Sequence, residues 1–104
     1  MAEAKGDLVW DQMQKIILTA DVKGTAPNYR DPFGVRIYGL NAADDVEWTF
    51  FAEEYQLKDE ERDTGRQLRV IVDAKEQFAS VDFSQVKALE VQLKGGDAEN
   101  WRGH

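Results

Sequence analysis

The 104-residue chain has no cysteine, and its one histidine, His104, is its last residue. Without cysteine there is no disulfide framework, no thiolate zinc or iron–sulfur site and no thiol nucleophile. With the sole imidazole at the end of a polar segment, the usual general base and the usual metal ligand are both missing from the body of the chain. An enzyme built on this sequence would have to work with carboxylates, Lys, Tyr or Ser alone, as paired-carboxylate glycosidases do. The expectation is therefore a non-enzymatic protein with no cofactor and no bound metal.

Long apolar runs are also absent, which excludes a transmembrane helix. Residues 1–7 hold one lysine and no apolar stretch, so they do not read as a secretory signal. A cytoplasmic location is the default expectation, with secretion open if a leader has been removed. The 20 acidic and 13 basic side chains leave a net charge of −7. The bases are scattered singly rather than gathered into a stripe, so a phosphate backbone would be repelled. Neither a nucleic acid nor a membrane is expected as a partner.

What the chain does have, 42% hydrophobic and 32% charged residues over 104 positions, fits one globular domain around a single core. The polar ends read as flexible tails over residues 1–7 and 95–104, with a β-rich domain over 8–94. Residues 8–22 carry two patterns. Val9, Met13, Ile16, Ile17 and Ala20 make a helical stripe, whereas Ile16, Leu18, Ala20 and Val22 alternate as a strand does. The β-branched residues Ile16, Ile17, Thr19 and Val22 favour a strand over about 15–22, preceded by a short strand or helical turn near Trp10.

Residues 24–34 contain both prolines of the chain between two glycines and read as a loop. Residues 35–40 alternate, 41–45 turn, and Val46, Trp48 and Phe50 alternate again. After Phe50 the apolar phase changes to Phe51, Tyr55 and Leu57, as a β-bulge near Phe50 and Phe51 or a strand end would produce. Residues 58–66 form a charged turn. Leu68, Val70 and Val72 define a further strand, Phe78, Val81 and Phe83 an irregular connection reaching the core, and Leu89, Val91 and Leu93 a last strand before Gly95. Five to seven strands without a sustained helical period predict an all-β fold, an antiparallel β-sandwich or small barrel; the alternative is an α+β curved sheet backed by one N-terminal helix from residues 8–18.

Three groups invite a functional reading. The acids at 59–63 resemble a calcium loop, but counting from Asp59 puts Thr64 where glycine belongs and Val70 where the bidentate Glu belongs. They read as a solvated hairpin tip, and the adjacent Glu53 and Glu54 as surface charges on opposite faces of a strand. The second group is the phase opposite the core, comprising Arg36, Tyr38, Glu47, Thr49, Phe51, Arg69 and Ile71, too apolar for an idle surface and too polar for a core. Cover by the N-terminal segment would explain that face, and so would a partner. The third is the 24–34 loop, in which Tyr29, Arg30 and Phe33 are residue types enriched in interfaces; the plainer reading folds Phe33 back onto the core.

The candidate binding residues are thus Tyr29, Arg30, Phe33, Arg36, Tyr38, Phe51 and Arg69. The expected function is an interaction domain for a protein partner. The alternative is a β-sandwich carbohydrate-binding module that takes an oligosaccharide on Tyr38, Trp10 or Phe51; Trp48, in phase with Val46 and Phe50, is read as core. The sequence specifies neither the partner nor the oligomeric state.

Overall fold

The computed structural model describes residues 2–11, 13–24, 29–94 and 101–103, with backbone only for 2–5, 24, 94 and 101–103. Among the described residues seven strands form two antiparallel sheets. Sheet A has the order β1 (Ala2–Trp10), β2 (Lys15–Gly24), β5 (Arg66–Asp73). Sheet B has the order β4 (Val46–Tyr55), β3 (Phe33–Leu40), β6 (Ala88–Lys94), β7 (Trp101–Gly103). The sheets are stacked rather than closed into a barrel, and the fold is an all-β sandwich. Residues 8–10 and 15–18 lie in strands rather than in a helix, because alternation buries Ile16, Leu18, Ala20 and Val22 on one face of β2. Residues 2–7, read from sequence as part of a tail, are the first part of β1 and pair with residues 19–24. Of the C-terminal segment, 95–100 and 104 lie outside the described residues, while 101–103 pair with β6.

Both tight hairpins turn by the same device. Asp11 Oδ1 accepts from the backbone N–H of Met13 and Lys15, and Asn41 Oδ1 accepts from Ala43 and Asp45. Each turn then returns through a residue with positive φ, Gln14 at 60° and Asp44 at 64°, the left-handed position that closes a three-residue hairpin loop. The β4–β5 crossing ends at Gly65, φ 75°, where an added Cβ would lie 2.3 Å from the Val22 carbonyl oxygen. Only glycine fits there.

The core is one cluster made by the inward phases of β2, β3, β5 and β6 with Leu8, Phe50 and Leu57. The connection from β5 to β6 closes one end of it. It contains a one-turn helix, α1 (Ala74–Gln77), capped by Asp73, and a 3-10 turn (Phe83–Gln85) capped by Asp82. Phe83 meets Trp10 edge-on at 6.1 Å and stacks on Phe50 at 6.3 Å, and Phe78 meets Phe50 edge-on at 5.3 Å.

Strand β4 departs from simple alternation. Ile37 faces Phe51 while the next residue, Tyr38, faces Thr49, so Phe50 and Phe51 together oppose one residue of β3. This β-bulge puts both rings on the core side, Phe50 buried and Phe51 half-buried against the cluster. A second irregularity lies between Gly39 and Leu40. Val46, expected inward, is consequently 53% exposed at the mouth of the hairpin. Trp48 is half-buried over Gly39, where an added Cβ would lie 3.0 Å from its Cε3 and 2.7 Å from Phe50 Cε2.

Truncating Phe50 to Ala should cost about 3–5 kcal/mol of unfolding free energy, as other core aromatics do. Trp48→Ala should cost less, since its side chain is already partly exposed, and Gly39→Ala should cost about 1–3 kcal/mol by overpacking. Urea titrations of the three variants check this order.

Candidate functional site

The structure separates the seven candidate residues into different places. Phe33 is buried and stacks on Tyr55 at 5.9 Å, so it belongs to the core. Phe51 is turned inward by the bulge and leaves the outer face to which strict alternation would assign it. Arg69 and Ile71 lie on β5, across the sandwich from Arg36 and Tyr38 on β3. The expected single face of Tyr38, Phe51, Arg69 and Ile71 therefore does not exist, because β5 pairs with β2 rather than with the β3–β4 hairpin.

Tyr29 and Arg30 sit at one end of the sandwich; residues 25–28 of the same loop lie outside the described residues. The Tyr29 hydroxyl donates to Asp59 Oδ1 at 3.1 Å, Arg30 Nε donates to the Tyr29 hydroxyl at 3.1 Å, and Arg30 Nη2 pairs with Asp59 Oδ1 at 2.5 Å. The Gln56 amide donates to the Arg30 carbonyl. These polar groups thus tie the loop to the 3-10 turn Asp59–Glu61. Behind the turn, Arg66 grips Glu61 with two bonds of 2.8 and 2.7 Å and also donates to the Gln56 carbonyl. Asp59, Glu61 and Asp63 are therefore engaged with Tyr29, Arg30, Lys58, Arg62 and Arg66. Among the described residues no group of three or more His, Cys, Asp or Glu is placed to hold a metal ion.

The outer face of sheet B is the better candidate. Along β3 the outward positions are Gly34, Arg36 and Tyr38. They pair with Glu54, Ala52 and Thr49 of β4 on one side, and with Lys94, Gln92 and Glu90 of β6 on the other. Arg36, Tyr38, Glu90 and Gln92 are half-buried, flanked by neighbouring strands without being covered. The Tyr38 hydroxyl donates to Gln92 Oε1 at 3.2 Å, a bond that crosses from β3 to β6. A shallow hollow of about 220 Å³ opens beside this pair, lined by Gly34, Arg36, Ala52, Glu53 and Glu54. Gly34 and Ala52 leave it room, and Arg36 and Glu54 bring opposite charges to it. Among the described residues no helix or strand packs onto this face.

Arg36 and Tyr38 are thus brought together as expected, and Gln92, Glu90, Ala52 and Glu54 are additions. The alternation of Leu89, Val91 and Leu93 already put Glu90 and Gln92 on one phase. That this phase lies beside Tyr38 depends on a pairing about fifty residues distant in sequence, Tyr38 with Glu90, for which the sequence carries no local signal. Of the three proposed sugar platforms only Tyr38 remains outward, since Trp10 packs on Phe83 and Phe51 packs on the core. Comparison of the chain with protein-family models, with curated proteins and with solved structures gives no match.

The Glu61–Arg66 pair carries a pH signature. The two-point hydrogen bond from Arg66, helped by the Lys58 backbone N–H, lowers the Glu61 pKa from 4.5 to about 2. A carboxylate whose pKa is depressed by folding adds stability above its ordinary pKa and loses that contribution as pH falls toward the folded value. Glu61→Gln should therefore lower the melting temperature at pH 6, and the gap to wild type should narrow at pH 3. Thermal melts at the two pH values check the sign.

Proposed function

We propose that the protein is a non-enzymatic binding domain that recognises its partner on the outer face of sheet B, with Arg36 and Tyr38 at the centre. The observation that carries this reading is the row of half-buried polar side chains on the two inner strands of that sheet, open to solvent and joined by the Tyr38–Gln92 bond. A sheet face that serves only solubility usually presents long charged side chains that stand free. Here the Tyr38 phenol and the Gln92 amide hold each other across two strands, so these two side chains have less entropy to lose on binding. Tyr and Arg are also the residue types that dominate interface energetics.

A protein partner is the first reading. The second, an oligosaccharide, is favoured by the same bond. The Tyr38–Gln92 contact uses the amide oxygen and keeps the Gln92 NH2 as a donor, while Arg36 offers donors and Glu54 acceptors along the hollow. A phenol ring with planar donors and acceptors beside it suits a ligand that presents both hydroxyls and apolar C–H faces. The alternation of signs on the face, Arg36 against Glu54 and Glu90, gives little net field, so binding depends on contact more than on steering.

The test is a titration of the isotopically labelled chain, followed by amide shifts, with a panel of neutral oligosaccharides and with candidate protein partners. Ligand-induced shifts should concentrate on β3, β4 and β6. Tyr38→Ala and Arg36→Ala should each weaken binding at least about tenfold in protein that circular dichroism shows to be folded, and raising salt should weaken it only modestly. Shifts confined to residues 29–33 or to sheet A, with no effect of either truncation, would refute the assignment.

A further inference from the structure

Among the described residues sheet B has four strands and sheet A three. Strand β1 lies against β6 and β7, while Arg66, at the start of β5, donates to the Gln56 carbonyl just past the end of β4. The strand that sheet A lacks is therefore the one beyond β5, on the β4 side of the sandwich. The inner phase of β4 bears this out. Tyr55, Glu53 and Phe51 pair with Phe33, Val35 and Ile37, all three buried, so they belong to the side that faces sheet A. Yet Tyr55 and Phe51 are only partly buried and Glu53 is exposed. Trp48, packed over Gly39 on the same side, is partly buried as well. Among the described residues no cation pairs with Glu53.

The edge of β5 that borders this gap has its backbone groups free. Along an antiparallel strand the bonded pairs alternate from one neighbour to the other. The Asp11 N–H donates to the Lys15 carbonyl, so in the same register Ile17 and Thr19 bond toward β1, which leaves Ile16, Leu18 and Ala20 to bond toward β5. The Ala74 N–H donates to the Gln14 carbonyl, in phase with Val72, Val70 and Leu68, which stand opposite those three residues. The N–H and C=O groups of Gln67, Arg69 and Ile71 consequently point to the other edge, where no described strand pairs with them. Strand β5 has no proline and no register shift, two of the devices that blunt an edge.

We infer that sheet A takes a fourth strand from a partner protein: an extended segment that pairs with the free edge of β5, with apolar residues in alternation and one Lys or Arg in the apolar phase. Backbone donors and acceptors at strand spacing are matched only by another extended backbone, which fixes the occupant as a polypeptide. One phase of the added strand covers Trp48, Phe51 and Tyr55, and so is apolar. Covering Glu53 with an apolar side chain would bury a lone carboxylate, whereas a basic side chain neutralises it as water leaves. This selects the sign of the one charge in that phase. A second copy fits the gap badly. Its β5 would arrive with its own β4, and Glu47, Glu53 and Glu54 of two chains that each carry −7 would share one space.

The experiment selects peptides of about twelve residues from a random displayed library on the full chain, then titrates the selected peptide, and the same peptide with Glu in place of its basic residue, into labelled protein. The inference requires a consensus of alternating apolar residues with one Lys or Arg among them, and at least about tenfold slower amide exchange at Gln67, Arg69 and Ile71 on saturation. Wild type should bind the basic peptide at least about fivefold more tightly than the Glu peptide. Glu53→Lys should reverse that order, and Glu53→Gln should narrow the difference; Glu53 is exposed, and circular dichroism establishes that both variants are folded. Tyr38→Ala and Arg36→Ala should leave this binding unchanged, which separates it from recognition on the outer face of sheet B. A library without binders, protection that falls elsewhere, or affinities that ignore both substitutions of Glu53 would overturn the inference. So would protection of the three amides that rises with the concentration of the protein alone, since the edge would then belong to a second copy.

Discussion

Opposite Ile37, strand β4 sets two residues, Phe50 and Phe51, against one of β3, and the character of both outer surfaces of the hairpin follows from this bulge. With it, two large rings enter the space between the sheets from an edge strand, and Phe50 becomes the point where Phe78 and Phe83 of the β5–β6 connection dock. Without it, one ring would stand in water beside Tyr38. The bulge also ends the regular edge of sheet B. Together with Glu47, Glu53 and Glu54, it guards a ten-residue strand that would otherwise template pairing with another chain.

Moving Phe51 inward leaves the outer face of sheet B polar, with Arg36, Tyr38, Glu90 and Gln92 half-buried among small neighbours. The apolar excess of the molecule is displaced to the other sheet, where Val9, Ile17 and Ile71 stand in one row. The two faces therefore differ in character: a hydrogen-bonded phenol among polar groups on sheet B, and a row of aliphatic side chains on sheet A. The loop end, with Tyr29 and Arg30 bonded to Asp59 and with Glu61 locked to Arg66, closes the core at Phe33, Tyr55 and Leu57 and is occupied with its own structure.

The sheet architecture could be read from the chain wherever one strand face is fully buried. Ile16, Leu18, Ala20 and Val22, then Leu68, Val70 and Val72, and Leu89, Val91 and Leu93 alternate because burial demands it, and the phase change after Phe50 marked the bulge. Three things could not be read. The turn at residues 11–14 has no glycine or proline, since Asp11 supplies the cap and Gln14 takes the left-handed position; this concealed how far β1 extends. Alternation alone puts Arg36, Tyr38, Phe51, Arg69 and Ile71 on one phase, but which sheet each strand joins is a long-range property that alternation does not carry. Strict alternation puts Phe51 outward, and the bulge that the phase change marks turns it inward.

Because the chain has no cysteine, single cysteines can report which way each residue of β4 faces. Placed at Thr49, Phe50, Phe51 and Ala52 and exposed to a thiol reagent under native conditions, they distinguish a bulge from plain alternation. The bulged strand predicts fast labelling at positions 49 and 52, strong protection at 50 and intermediate protection at 51. Fast labelling at 49 and 51 with protection at 50 and 52 would mean that β4 alternates without a break, that Phe51 stands beside Tyr38, and that the division of the two faces described above is wrong.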